Sequence, residues 1–527
     1  MNPSRSSNQR TNRLVLHFSQ ILAILTVSGP WFLWSSLASP PTSRLQAVAE
    51  TGPRSERINL VFLSEGYTEA QLPQFIQHVQ TATDYLFTRQ PWREYRSYCN
   101  VYRIEIASNQ SGTDNGSHGT TRDTYFNSGF TTPSVPQLLT VPSSGQSRAY
   151  ALLNQHLPEY DQPILLVNDP TYGGSGGSIA VASIHNSSRQ LVEHEIGHSF
   201  AGLTDEYDFD YPPYTPTESY NATQETDRQR IRWRSWIENS TPIPTPATST
   251  FDATVGLFEG ANYRAQNWYR PHRNSLMRSL GQPVGAVNRE RFVLAYYEKV
   301  RPLDSFHPAS PSLVITQSVQ LDFSISPKIP SLGPPLTVQW SLNGQPIPSP
   351  TPHTLTTFSG DLGNGVHTLS VHVADPTPFV RDDPQGLLTE SLSWTLNVSH
   401  QLPASLADWR TLFGPDHANP SGDGLDNLMK YALGLDPRLP ALPNQRPQSE
   451  TFSHPDGSRY LSLRIPRTHP RPDIDYLVRS ASDLVSWQSG PGHTVVMEET
   501  PTLLLVRDAQ PANQAQARFL ELRVRPR

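Results

Sequence analysis

Ser187-Ser188-Arg189-Gln190-Leu191-Val192-Glu193-His194-Glu195-Ile196-Gly197-His198-Ser199-Phe200-Ala201-Gly202-Leu203-Thr204-Asp205-Glu206-Tyr207 is the stretch on which the reading of the chain turns. Ser187 with Gln190 three positions on is a capping-box start. Leu191, Val192, Ile196 and Phe200 recur at helical spacing, and Gly202 closes the run, so a helix is predicted over 187–202. A spacing of four puts His194 and His198 on one face of that helix, where two imidazoles can share a metal ion, and Glu195 then points at a water on that ion. With 17 histidines and 47 acidic residues in 527, such a pattern should arise by chance only about 0.05 times.

A catalytic zinc takes three protein ligands and keeps one position open. Past the glycine turn the chain offers Asp205, the preferred third ligand, and Glu206 as its competitor; the loop geometry that decides between them is not written in the sequence. Further on, Asn274-Ser275-Leu276-Met277-Arg278 sets one of only four methionines in a turn-like context. It resembles the methionine turn that underlies the zinc ligands of metzincins.

Upstream, Ile58-Asn59-Leu60-Val61-Phe62-Leu63, Val101 to Ile106 and Pro163 to Val167 read as buried strands, and Thr68 to Thr88 has helical periodicity. Strands alternating with helices predict a mixed α/β (α+β) unit over 39–306, closed by a helix from Arg289 to Val300. Ser178 to Ile184, just before the zinc helix, is a candidate edge strand for pairing with extended substrate. A Pro/Ser-rich linker follows at His307-Pro308-Ala309-Ser310-Pro311. Residues 312–399 then alternate apolar and polar in short runs around Trp340, an immunoglobulin-like β-sandwich pattern resting on periodicity alone. Residues 405–440 hold Asn419-Pro420-Ser421-Gly422-Asp423-Gly424-Leu425-Asp426-Asn427, whose oxygen side chains around a glycine turn resemble the start of a calcium loop. That loop is degenerate, because Asn419 and Ser421 stand where aspartates are usual and Lys430 lies near the closing position, so Ca2+ is the weaker reading beside an empty capped turn. Residues 441–527 read as a small C-terminal β module.

Composition narrows the classes. A net charge of −6 with scattered basic residues gives no nucleic-acid footprint. The single cysteine, Cys99, excludes an intramolecular disulfide and any cysteine-based metal module, so a metal must sit on histidine and carboxylate ligands. Arg5, Arg10 and Arg13, the apolar stretch Leu14 to Leu33, and Ser36-Leu37-Ala38 before Ser39 read as a secretory signal over 1–38. The alternative is a retained anchor. Cleavage would leave a secreted mature chain without a stable membrane span.

Residues from about Ile58 to Phe306 resemble the bacterial immunoglobulin-A peptidase family of zinc metallopeptidases. The resemblance is carried by Ile58 to Thr68, by Val167-Asn168-Asp169-Pro170 leading into Tyr172-Gly173-Gly174-Ser175-Gly176-Gly177, by His194 to Tyr207, by Gly256 to Ala261 and by Trp268-Tyr269-Arg270-Pro271. It implies a metzincin-like fold and zinc-dependent endopeptidase activity on protein or peptide substrates. Zinc would sit on His194, His198 and Asp205, with Glu195 as general base. The chain departs from the family after Met277, where Gly281 to Asn288 lacks the cysteines that relatives often carry.

Two rivals remain. Gly173-Gly174-Ser175-Gly176-Gly177 matches the G-x-S-x-G elbow of serine hydrolases, but Asp169-Pro170-Thr171 interrupts the strand such an elbow needs and β-prone residues occupy the place of its helix. The other is a secreted or surface binding protein with a vestigial zinc site, against which the intact Glu195 argues.

Overall fold

Apolar runs with no polar alternation need cover on both faces. The first of them, β2 (Ile58–Glu65), follows β1 (Arg44–Ala49) and is buried along its whole length. The computed structural model describes residues 42–132, 134–316, 319–349, 352–399, 402–468, 471–514 and 516–527; the export segment read over 1–38 lies outside them. After β2 come α1 (Leu72–Leu86), β3 (Cys99–Glu105), the short pair β4 (Asp114–Asn115) and β5 (Gly129–Phe130), α2 (Ser143–His156), β6 (Gln162–Val167), β7 (Gly174–Ser175) and β8 (Ala180–Ser183). Six of these strands form one sheet in the order β1-β3-β2-β6-β8-β7. Its four central strands are parallel, and β1 and β7 run antiparallel to their neighbours.

The strand period of two sorts the side chains onto two cores. Ile58, Leu60 and Phe62 of β2 join Ile164, Leu166, Ala180 and Ala182 beneath α1, α3 (Ser188–Ser199) and α4 (Ala286–Lys299). Val61, Leu63, Leu165, Val167 and Val181 face the opposite side, against Ala149, Leu152 and Leu153 of α2. The N-terminal region is thus a mixed α/β layered unit. Ala180 and Ala182 leave room for α3 to lie close on β8.

Two expectations are corrected here. The segment 178–184 is not an edge, because β8 pairs with β6 on one side and β7 on the other. The outer side of β7 is engaged in turn: Gly174 N donates to Gln137 O at 3.1 Å and Leu139 N to Gly174 O at 3.3 Å. The capping box also fails to form, since no side-chain cap bond is made by Ser187.

Beyond the hairpin of β9 (Phe258–Ala261) and β10 (Arg264–Arg270), and after α4, the chain enters a β-sandwich. One sheet holds β11 (Leu303–His307), β13 (Gln320–Pro327) and β16 (Thr354–Phe358). The other holds β12 (Ser312–Ile315), β14 (Thr337–Leu342), β15 (Gln345–Ile347), β17 (Gly365–Ala374) and β18 (Thr389–Val398). Trp340 and Trp394 stack between them with centroids 6.0 Å apart. β11 spans the boundary expected at 306, so the sandwich begins before the proline-rich segment.

The seam between the sandwich and the α/β region is continuous core. The connection from β17 to β18 sends Leu388 into the apolar cluster under α4, with Phe379, Val380 and Leu387 packed on it. Glu290 of α4 accepts from Arg381 N at 2.6 Å and Asp382 N at 3.0 Å. Tyr297 of α4 donates to Asp375 at 2.8 Å. The sandwich therefore completes the core of the α/β region.

At the C-terminal end, α5 (Leu406–Phe413) and α6 (Asn427–Leu433) precede β19 (Gln448–Ser453), β20 (Arg459–Pro466), β21 (Ile474–Ala481), β22 (Thr494–Thr500), β23 (Leu503–Asp508) and β24 (Phe519–Pro526). Leu433 joins Leu463, Ile465 and Val506 in one core, and Trp409 and Tyr431 join Ile474 in another, so the segments read separately as 405–440 and 441–527 share their packing. The calcium-like loop holds its own cation. Lys430 Nζ lies 2.9 Å from Asp423 Oδ2 and 2.9 Å from Ser421 Oγ, and also donates to Leu439 O. Asp426 caps α6 by accepting from Met429 N at 2.7 Å. Among the described residues no helix is long and apolar enough to cross a membrane.

Candidate metal centre

The helix α3 carries the paired histidines, and each ring is held from behind by a main-chain carbonyl. His194 Nδ1 faces Leu276 O at 3.0 Å, and His198 Nδ1 faces Leu203 O at 2.8 Å. Carbonyls only accept, so both Nδ1 atoms carry the proton in the neutral rings and both Nε2 lone pairs point inward. The Leu203 carbonyl is placed by Gly202, whose φ of +63° turns the chain so that Leu203 N reaches Gly197 O at 3.0 Å. The Leu276 carbonyl comes from the methionine turn. Met277 is fully buried, and a Cβ at Gly197 would stand 2.8 Å from its sulfur, so the glycine between the two histidines lets that turn close under the helix.

The inward atoms form a triangle. His194 Nε2 and His198 Nε2 are 3.1 Å apart, His194 Nε2 and Asp205 Oδ1 3.1 Å, and His198 Nε2 and Asp205 Oδ1 3.4 Å. A tetrahedral zinc with bonds near 2.0–2.1 Å has ligand atoms about 3.3 Å apart, so this triangle has the size of one face of a zinc tetrahedron. Asp205 Oδ1 is buried and has no hydrogen-bond partner, despite its nearness to the imidazole nitrogens. Three electron-pair donors, one of them orphaned, converge where a divalent cation fits. Glu195 also falls in a group with the two histidines, but that group spreads to 4.8 Å, wider than a shared coordination face.

Charge in the site follows from burial and proximity. Burial works against charge on His198, yet the carboxylates of Asp205 and Glu195 outweigh it and push the ring up to about 9. Burial likewise opposes the charge on Asp205, and the two imidazoles more than offset it, holding the carboxyl well below its usual range. The pocket therefore favours positive charge beside Asp205. Glu195 is pushed up to about 7, chiefly by burial, with the imidazoles opposing and Asp205 assisting.

The two carboxylates left open by the sequence part company. Asp205 faces the imidazoles. Glu206 is fully buried on the other side, where its carboxylate accepts from Asn221 at 3.0 Å, Asn288 at 2.8 Å and Ser275 Oγ at 2.7 Å. Its main-chain N–H donates to Met277 O at 2.9 Å, so Glu206 ties the loop to the methionine turn and to α4.

Several contributors carry no motif. Tyr263 OH donates to Asp205 Oδ2 at 2.6 Å. Tyr207 stacks on His194 at an interplanar angle of 22°. A Cβ at Gly174 would lie 2.6 Å from Glu195 Oε1, and one at Gly176 2.2 Å from His198 Cβ, so the glycine-rich loop is small where it crosses the site. The site opens into a cleft of about 510 Å³, lined among others by Leu138, Tyr172, Tyr207 and Phe209. The elbow reading fails on geometry. Ser175 sits on the two-residue strand β7 with its hydroxyl donating to Leu139 O at 2.6 Å, and no helix follows it directly.

Residues 46–254 match the model of the family described as IgA Peptidase M64. The resemblance to the immunoglobulin-A peptidase family of zinc metallopeptidases holds over that stretch, which includes α3 and the loop to Asp205 but stops before the β9–β10 hairpin and Met277. No curated protein matches the chain. Among solved structures, titin domains I67–I69 in a Glu-to-Ala variant align at 12% identity over 38% of this chain and 52% of that one. Their TM-score of 0.12 is too low to inform the fold.

Proposed function

We propose that the chain is an exported zinc-dependent endopeptidase with a metzincin-like catalytic region, an immunoglobulin-like sandwich and a C-terminal β module. The observation that carries this reading is the triangle of His194 Nε2, His198 Nε2 and Asp205 Oδ1, with the buried carboxylate of Glu195 beside it. The M64 match supplies the peptidase class. Export is supported by the basic, apolar and small-residue order of 1–38.

Zinc held by His194, His198 and Asp205 would lower the pKa of water and polarise the scissile carbonyl. The chain's own groups do the rest. Glu195, raised toward neutrality by burial, takes a proton from the attacking water and returns it to the departing amine. Leu276 O and Leu203 O fix the tautomer and aim of the two rings. The aromatic cleft offers apolar surface to side chains flanking the cleaved bond.

The test is cleavage of a mixed protein substrate by the purified mature protein. Cleavage that stops with a chelator, returns with zinc and is lost in Glu195→Gln is the expected outcome. A zinc-loaded protein inert on a broad substrate panel would instead favour the binding-protein reading. Activity lost in Ser175→Ala and indifferent to chelation would select the serine hydrolase.

A further inference from the structure

Tyr263 occupies a backbone position that suits a side chain poorly. The β9–β10 hairpin is closed by two residues, with Ala261 paired to Arg264, and both loop residues have positive φ: 57° at Asn262 and 58° at Tyr263. Positive φ at both central positions is the signature of a type I′ turn, for which Asn-Gly is the favoured pair. Asparagine obeys that preference. Tyrosine at the second position does not, and a bulky residue held in the left-handed region persists only where its surroundings fix it there.

Those surroundings are the main chain on either side of Asp205. Asn262 N donates to Asp205 O at 3.0 Å, and Tyr263 N to Tyr207 O at 3.2 Å. Thr204 Oγ1 donates to Asn262 Oδ1 at 2.9 Å. The turn is thus fastened to residues 204, 205 and 207, and the fastening aims the Tyr263 hydroxyl at Asp205 Oδ2, 2.6 Å away. The carboxylate is divided by this contact. Oδ2 is tied to the phenol, while Oδ1 has no hydrogen-bond partner and stands with the two imidazole nitrogens.

We propose that Tyr263 is a positioning residue for the metal site: held in a strained turn, its hydroxyl pins Oδ2 of Asp205 so that Oδ1 alone is presented beside His194 and His198. This inference rests on the metallopeptidase reading of the site and adds a residue that lies outside both the helix motif and the stretch matched to the family. Removing the hydroxyl leaves the carboxylate free to rotate and to offer both oxygens, which loosens the site and changes the number of ligand atoms. Partners that orient metal ligands typically matter about 10–100-fold in metal affinity.

The experiment compares the full-length wild-type protein with Tyr263→Phe and with Tyr214→Phe. Tyr214 packs its ring 4.8 Å from that of Tyr263 and so controls for the aromatic cluster itself. Zinc affinity is measured by competition with a chromophoric chelator, the visible spectrum is recorded after loading with Co2+, and the melting temperature is taken without metal. Tyr263→Phe is expected to melt with the wild type, to bind zinc at least tenfold more weakly and to show altered Co2+ band intensities. Tyr214→Phe is expected to match the wild type in affinity and spectrum. The inference is overturned if the wild type binds one zinc and Tyr263→Phe binds it equally well with an unchanged Co2+ spectrum, or if both variants lose affinity alike. A wild type that binds no zinc fails at the earlier step and removes the metallopeptidase reading with it.

Discussion

Asp205 and Asp423 both stand in glycine-turned loops that the sequence offers as cation sites, and the structure treats them in opposite ways. Around Asp205 two neutral-capable imidazoles and an orphaned carboxylate oxygen converge, and among the described residues no ammonium or guanidinium lines the site. Around Asp423 the chain supplies its own cation. Lys430 Nζ sits 2.9 Å from the carboxylate, Arg446 approaches to 3.4 Å, and the N–H groups of Leu425 and Ala441 fill the remaining acceptor capacity. Coordination by oxygen side chains is thus only half of a metal site; the other half is that no internal positive charge has taken the place.

The largest expected contrast is catalytic. Glu195→Gln should lower kcat/KM by about 10³-fold while zinc stays bound, and Asp423→Asn should leave kcat/KM unchanged. Steady-state cleavage assays with zinc quantified on the same samples decide it. Next comes metal specificity: at a thousandfold excess over its dissociation constant, zinc should stabilise the metal-free protein by about 4 kcal/mol in denaturant titrations, and calcium should not. A calcium response equal to that of zinc would erase the distinction between the two loops.

A smaller effect tests the internal cation. Lys430→Met removes the nearer of the two cations beside a carboxylate whose side chain is only 5% exposed, leaves Arg446 at 3.4 Å, and should destabilise by about 3 kcal/mol at most. Added calcium should restore part of that loss in the variant alone. The smallest effect sharpens the contrast among histidines. His272 accepts from Ala286 N at 3.0 Å at the start of α4, and burial, aided by the charge of Arg289, lowers it to about 4. Its folded value lies below the unfolded 6.5, so its contribution to stability is complete above pH 6.5 and is lost as the pH falls through 4. About 2–3 kcal/mol of acid sensitivity should be absent from His272→Gln, read from denaturation midpoints between pH 7 and pH 4.

What was legible follows from what leaves a periodic or spaced trace. The two imidazoles and Glu195 sit four and one residues apart on a helix, so helical geometry alone brought them together. The strands at 58 and 162 announced themselves because both faces of the sheet are covered and their centres are apolar runs, and the strand at 99 was read from Val101, Tyr102 and Ile104 despite Asn100 and Arg103. The choice between Asp205 and Glu206 was not legible, because adjacent residues in a loop differ only by which way it turns. Tyr263, Leu203 O and Leu276 O were invisible for another reason: a carbonyl has no residue signature, and a tyrosine is informative only once its turn is seen beside Asp205. The edge-strand expectation for 178–184 failed because β7 is two residues long and glycine-containing, too short to register as a strand. The seam with the sandwich was hidden because Phe379 and Leu388 look like ordinary loop apolars until α4 is placed beside them.

Anomalous diffraction at the zinc absorption edge, from crystals of the full chain grown with zinc and calcium together, tests the central claim most directly. A single zinc peak bounded by His194 Nε2, His198 Nε2 and Asp205 Oδ1 is the expected result, with none beside Asp423. Zinc-replete crystals showing no peak at His194 and His198, or one ligated by Glu206 in place of Asp205, would contradict it.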